Sequence, residues 1–251
     1  MHRFYLPPDT TRSSTLRLTD SEARHAAKVL RLKQSDRLTV LDGRGQELLC
    51  EVAQIESRTV ALQVVQRHLV RRLPYEITLV QAIPKGKAMD DIVEKATELG
   101  ASRIVPLLSE RSEVHLKNED AYRRRKKWEN TAIEAMKQCG NAWLPCVEAP
   151  ISTGDFLVRG DRFDLSLIAS LQGDHLHPRQ VFKGFLDDHN SVPKTLAVWV
   201  GPEGDFAPTE INAIKSAGSV PVTLGPLTLR SETAAIYLLS ILSYELQAGI
   251  N

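Results

Sequence analysis

Several absences narrow the chemistry open to this chain. Cysteine is scarce: Cys50, Cys139 and Cys146 are odd in number and show no C-x-x-C spacing, so free thiols are expected rather than a disulfide framework. Neither G-x-G-x-x-G nor G-x-x-x-x-G-K-[ST] occurs, which argues against a dinucleotide fingerprint or a triphosphate loop. No apolar run is long enough to span a bilayer, and Met1–Pro8 has no apolar signal core. A cytoplasmic location without membrane association is therefore expected. No Ser-His-Asp order, paired catalytic carboxylates or zinc spacing stands out, and no metal is expected. Asp174, His175 and His177 read as a polar loop, because imidazoles two residues apart diverge on a helix.

What is present is ordinary for a folded chain: 251 residues, 42% hydrophobic and 25% charged, enough for one large or two ordinary domains. The formal charge of +1 is unevenly spread. Residues 1–72 hold 13 Lys+Arg against 8 Asp+Glu, which leaves 19 against 23 for residues 73–251. A basic part that grips a polyanion, joined to an acidic part that does chemistry, gives this balance; chance among solvated side chains gives it equally well.

Residues 1–72 read as a small β-barrel domain, with strands at 3–6, 14–18, 38–41, 47–52 and 59–65 and a hairpin at Asp42-Gly-Arg-Gly45. Thr19-Asp-Ser-Glu22 has the spacing of a capping box opening a helix to Leu30. On that helix Arg24, Lys28 and Arg31 fall at spacings of four and three, sharing a face suited to phosphates or to water. The basic stretch 69–74, ending in Pro74, marks the boundary to a second domain, 73–251. There strands at 76–82 and 103–108 flank a helix at 90–99, and the unit repeats as a parallel α/β sheet. A long helix, 120–139, carries Arg123-Arg-Arg-Lys-Lys127, a solvated run or an RNA contact. A strand at 163–169 and a helix at 178–188 follow.

Residues 195–244 organise the rest. Thr195–Val200 reads as a buried strand running into Gly201-Pro-Glu-Gly-Asp-Phe206, with a helix from Pro208; Pro221–Leu224 reads as a second strand running into Gly225–Ala234. The helix after it is apolar almost all round and is expected to be buried. Two glycine-bearing loops at the carboxyl ends of neighbouring parallel strands predict one ligand cavity. Their low content of cationic side chains suits a neutral or zwitterionic nucleoside better than a triphosphate.

The paired stretches Gly201-Pro-Glu-Gly-Asp-Phe206 and Leu224-Gly-Pro-Leu-Thr-Leu-Arg-Ser-Glu-Thr-Ala234 resemble the cofactor motifs of the ribosomal RNA small subunit methyltransferase E family. His25–Arg31, Lys85–Gly100, Ser109–Ser112 and Gln138–Pro145 are similar to it as well. The resemblance implies a PUA-like RNA-binding barrel followed by a SPOUT α/β domain with a C-terminal trefoil knot. It implies S-adenosylmethionine as cofactor, N3 of a uridine in 16S rRNA of the small ribosomal subunit as target, and a homodimer. A ribose 2′-O methyltransferase of the same superfamily and a non-catalytic RNA-binding protein are the alternatives. Cofactor contacts are then expected at Val200, Gly201, Glu203, Gly204, Leu224, Gly225, Leu229, Thr233 and Ala234. Arg230 is the catalytic candidate for stabilising a uridinate. Glu232 would orient it or take the N3 proton, or else serve as a first-turn acid of the following helix. RNA contacts are expected at Arg24, Lys28, Arg31, Lys85, Lys87, Gln138 and Asn141. Asn141 stands where many relatives have arginine, which removes a cation.

Overall fold

Along β2 (Thr15–Thr19) Leu16 and Leu18 point inward while Thr15, Arg17 and Thr19 face water, the period of a strand with one buried face. The same pattern, with β1 (Arg3–Tyr5), β3 (Arg37–Leu41), β4 (Gln46–Ile55) and β5 (Thr59–Leu69), builds a five-stranded sheet in the order β1-β3-β4-β5-β2. All its pairs are antiparallel except β1 with β3. Phe4, Leu18, Leu38, Leu48 and Leu62 are enclosed between its faces and the short helix α1 (Asp20–Arg24). The β3–β4 turn is closed by Asp42, whose Oδ1 accepts the amides of Arg44 (2.7 Å) and Gln46 (2.9 Å). Burial pushes the Cys50 thiol up to about 11.

The chain here is a computed structural model that describes residues 1–112, 118–172 and 174–248. It divides into two units, Met1–Arg72 with Ile133–Leu144, and Leu73–Ala132 with the chain from Pro145 onward. The first unit thus takes in a segment beyond the boundary read at 69–74.

Two local expectations fail there. Thr19 makes no side-chain cap: Asp20, at the first helical position, lies at φ +50°, and Glu22 accepts Lys137 Nζ at 2.7 Å. The helix after Arg24 is a π-helical turn, His25–Val29, and Arg31 lies beyond it in a left-handed conformation (φ +54°). The α-helical argument for one face shared by Arg24, Lys28 and Arg31 therefore does not hold, although all three are exposed.

In the second unit β6 (Glu76–Ala82), β7 (Arg103–Leu108), β8 (Cys146–Val147), β9 (Ile151–Ser152), β10 (Leu165–Ala169), β11 (Thr195–Val200) and β12 (Val220–Val222) form a parallel sheet. Its order is β12-β10-β11-β6-β7-β8, with β9 also on β7. Strands 6, 7, 10 and 11 are apolar on both faces, as parallel strands covered by helices must be. The helices are α2 (Ala88–Glu98), α3 (Asn118–Cys139), α4 (Thr153–Val158), α5 (Pro178–His189), α6 (Pro208–Ser216) and α7 (Ser231–Ala248). Trp199, Phe206, Ile211 and Ile214 share one apolar cluster with Val80, Val105 and Ile168. No helix among the described residues is long and apolar enough to cross a membrane.

Three further readings need correction or completion. The two strands that end in glycine loops are not neighbours: β10 lies between β11 and β12. Helix α7 is not buried all round, because Tyr237 and Tyr244 are 48% and 74% exposed on the face opposite Leu238, Leu239 and Leu242. Within the basic run on α3, Arg125 and Lys126 pair with Glu129 (2.9 and 2.8 Å) and Lys127 with Asp90.

Asp164 fixes the start of β11 beside β10. Its Oδ2 accepts the amides of Lys194 (2.8 Å) and Thr195 (2.9 Å), and the Thr195 bond, more than the others, holds the carboxyl below its usual range. A carboxyl depressed on folding stabilises above its unfolded value, near pH ~4, and that contribution is lost as pH falls through the folded value. Asp164→Asn is therefore expected to flatten the acid limb of a urea-midpoint profile recorded below about pH 5. An unchanged limb would assign the acid sensitivity to other carboxylates.

Candidate functional site

The interposed β10 sets the geometry of the site, because the chain that follows it, over the described residues 170–172 and 174–177, enters as a third loop between the two glycine loops. The three loops leave the carboxyl ends of adjacent strands and line a single cavity of about 180 Å³. From the first loop Val200, Gly201, Pro202, Glu203 and Asp205 line it. The second contributes Leu224, Gly225, Leu227 and Leu229, and α7 adds Ser231 and Ala234. The third contributes Ala169, Ser170, Leu171 and His175.

Buried polar groups lock the walls together. Asp205, 7% exposed and at φ +58°, accepts the Phe206 amide at 2.8 Å through one oxygen and the Leu171 amide at 3.1 Å through the other, tying the first loop to the third. Leu176 donates to the Pro221 carbonyl (3.1 Å) and accepts the Thr223 amide (3.0 Å), tying the third loop to β12 and the second. Ser231 Oγ donates to the Gly201 carbonyl at 2.7 Å and accepts Gln81 Nε2 at 2.9 Å. The start of α7, the first loop and β6 are thereby bonded in one fully enclosed network. The outer edge of the first loop is held by the Lys85 amide on Glu203 Oε1 (2.9 Å) and by Arg111 on the Gly204 carbonyl (2.7 Å).

The structure brings together Val200, Gly201, Glu203, Leu224, Gly225, Leu229 and Ala234 around this cavity, and leaves Gly204 and Thr233 outside its lining. Arg230 projects outward with 86% of its side chain exposed, 4.0 Å from Glu232, and neither lines the cavity. Of the RNA candidates, Arg24, Lys28, Arg31 and Gln138 are exposed in the first unit, and Lys85 and Lys87 in the second. Asn141 uses its side-chain oxygen to accept the Trp143 amide at 2.9 Å, so it shapes its own loop.

Sequence reasoning missed four contributors: Gln81, Arg111, Asp205 and His175. Gln81 carried a signal, a polar residue inside an otherwise apolar strand, where a buried polar group is the informative exception. His175 falls in the expected polar loop, and the strand order that makes that loop a wall of the cavity is not written locally. Its neighbour His177 caps α5: the ring Nδ1 accepts the Arg179 amide at 3.3 Å and Gln180 accepts the His177 amide at 3.0 Å.

A family profile described as an RNA methyltransferase domain matches residues 71–243, and one described as an RNA methyltransferase PUA domain matches residues 18–65. A ribosomal RNA small subunit methyltransferase E of Aquifex aeolicus is 32% identical over 243 residues, 96% of this chain and 99% of that protein. Among solved structures, a methyltransferase of Legionella pneumophila in complex with the cofactor SAM aligns with a TM-score of 0.85 at 32% identity, covering 98% of this chain and 96% of that one. A ribosomal RNA small subunit methyltransferase E of Neisseria gonorrhoeae bound to S-adenosyl methionine aligns at 0.84 and 29% identity, with 97% of each chain covered.

Proposed function

Because the chain belongs to the ribosomal RNA small subunit methyltransferase E family, we propose that it is an S-adenosylmethionine-dependent enzyme that methylates N3 of a uridine in 16S rRNA. The observation that carries this reading is the single cavity between three loops at the carboxyl ends of β10, β11 and β12. Its lining suits such a donor. Val200, Leu224, Leu229 and Ala234 would offer apolar surface to a heterocycle, the loop backbone amides and carbonyls, and Glu203 and Asp205 negative charge to a cationic donor. When bound, the donor supplies an electrophilic methyl group.

The chain's own residues have two further tasks. The first is proximity: Gly201, Glu203, Gly225 and their neighbours hold one reactant, while exposed cations of both units, Arg24, Lys28 and Arg31 with Lys85 and Lys87, supply attraction for RNA phosphates. The second is the N3 proton. A uracil imide is weakly acidic, so methylation needs the uridinate favoured electrostatically or its proton accepted. Arg230 is the electrostatic candidate, exposed at the start of α7, and Glu232, 27% exposed beside it, is the acceptor or orienter. Arg230→Ala is expected to lower turnover by about 100-fold or more while cofactor affinity stays near normal; unchanged turnover removes Arg230 from the mechanism.

The family further implies a homodimer and a C-terminal trefoil knot, and the exposed tyrosine face of α7 suits subunit pairing. Nucleoside mass spectrometry of 16S rRNA from a deletion strain, with and without the restored gene, tests the target. Loss of an N3-methylated uridine is expected. Loss of a ribose-methylated nucleoside would transfer the enzyme to the 2′-O class, and an unaltered profile would remove the proposed target.

A further inference from the structure

Resting on that donor reading, we propose that His175 binds the carboxylate of the donor's methionine moiety and makes the cavity selective for donors that carry it. The charge inventory of the lining is short. Glu203 and Asp205 are acidic, and His175 is the one side chain among the described lining residues that can carry positive charge. S-adenosylmethionine presents two cations, its sulfonium and its ammonium, and one anion. Two carboxylates attract both cations but repel the third group, so a cavity without His175 would disfavour one end of its own ligand.

Placement supports the assignment. His175 sits on the loop after β10, which is bonded to the first glycine loop through Leu171 and Asp205 (3.1 Å) and to β12 and the second glycine loop through Leu176 (3.1 and 3.0 Å). The ring is thus carried by a wall anchored on both sides. Its Nε2 is enclosed and has no hydrogen-bond partner, whereas the acids are already engaged: both oxygens of Asp205 accept backbone amides and Glu203 Oε1 accepts the Lys85 amide. An enclosed ring nitrogen without a partner, on a residue that lines a binding cavity, is a group that a ligand oxygen would satisfy once the ring turns toward the cavity. Neighbouring His177, by contrast, spends its ring on a helix cap.

The test is calorimetric titration of the full chain with S-adenosylmethionine and with decarboxylated S-adenosylmethionine, which keeps both cations and lacks only the carboxylate. Wild type is expected to prefer the complete donor. His175→Ala and His175→Phe, the second filling the space without a donor group, are expected to weaken its binding on the order of tenfold and to leave the decarboxylated form within about twofold, erasing the preference. Equal weakening of both ligands would mark His175 as structural, and a preserved preference would place the carboxylate elsewhere; either overturns the assignment. Wild type binding neither ligand would overturn the donor reading itself and this inference with it.

Discussion

Gly201→Val is expected to weaken S-adenosylmethionine binding by at least about 100-fold while the far-ultraviolet spectrum stays close to wild type. A Cβ at Gly201 would lie 3.1 Å from the Phe206 nitrogen and 3.2 Å from the carbonyl carbon and Cα of Asp205. These are backbone atoms, which cannot swing aside as a side chain does. Relief then comes by one of two routes. The Asp205–Phe206 segment moves and strains the bond by which Asp205 holds Leu171, or residue 201 moves and its carbonyl leaves Ser231. Both routes separate walls that the cavity needs together, so the loss falls on binding rather than on the sheet, whose strand β11 has already ended at Val200. Gly204→Ala is the matched control: its Cβ would meet only Arg111 Cδ, at 3.8 Å, an ordinary contact, and near-normal binding is expected. Titration calorimetry on both variants decides the matter. Wild-type affinity in Gly201→Val would show that the close approach at this turn does not shape the site.

The contrast between these glycines reflects what the sequence makes legible. Strands β6, β7, β10 and β11 announce themselves as short apolar runs because each is covered on both faces, and the glycine loops announce themselves as breaks after those runs. Local pattern reaches that far. The order in which parallel strands assemble is set by packing between distant segments, so the sequence offers no sign that β10 enters between β11 and β12 and carries the His175 loop into the site. The same limit applies to the helix near Glu22: its capping spacing is present, yet the chain enters it through Asp20 at φ +50° and Glu22 pairs with Lys137, 115 residues away. Arg230 shows a third limit. Its place beside the cofactor motif was legible, but its outward direction depends on how the chain enters α7.

Glu210→Ala should be among the most destabilising single substitutions near the site, at about 2–4 kcal/mol. Glu210 is 6% exposed, sits in the first turn of α6, and gathers three donors that no other described group is seen to serve. Its Oε2 accepts the Ala207 amide at 3.0 Å, an orphan donor at the helix start, and its negative charge suits that helix end. Its Oε1 accepts Thr153 Oγ1 at 2.6 Å, from the start of α4, and the Glu110 amide at 3.1 Å, from the loop after β7. Alanine deprives all three donors at once; Thr153 and Ala207 are buried, so the penalty falls mainly on them, whereas Glu110 is exposed. Glu210→Gln separates this from a packing effect. Glutamine keeps one acceptor oxygen in nearly the same volume, so it can still serve Thr153 and Glu110 while its amide nitrogen faces the Ala207 N–H. The loss is then expected to be roughly half that of alanine, on the order of 1–2 kcal/mol. Urea unfolding of the three proteins checks the order, and in a chain of this size each kcal/mol also lowers the melting temperature by about 2–4 °C. If glutamine and alanine prove equally damaging, the fixed negative charge at the start of α6 outweighs the count of hydrogen bonds. If neither moves the midpoint, the Thr153 and Glu110 donors find water.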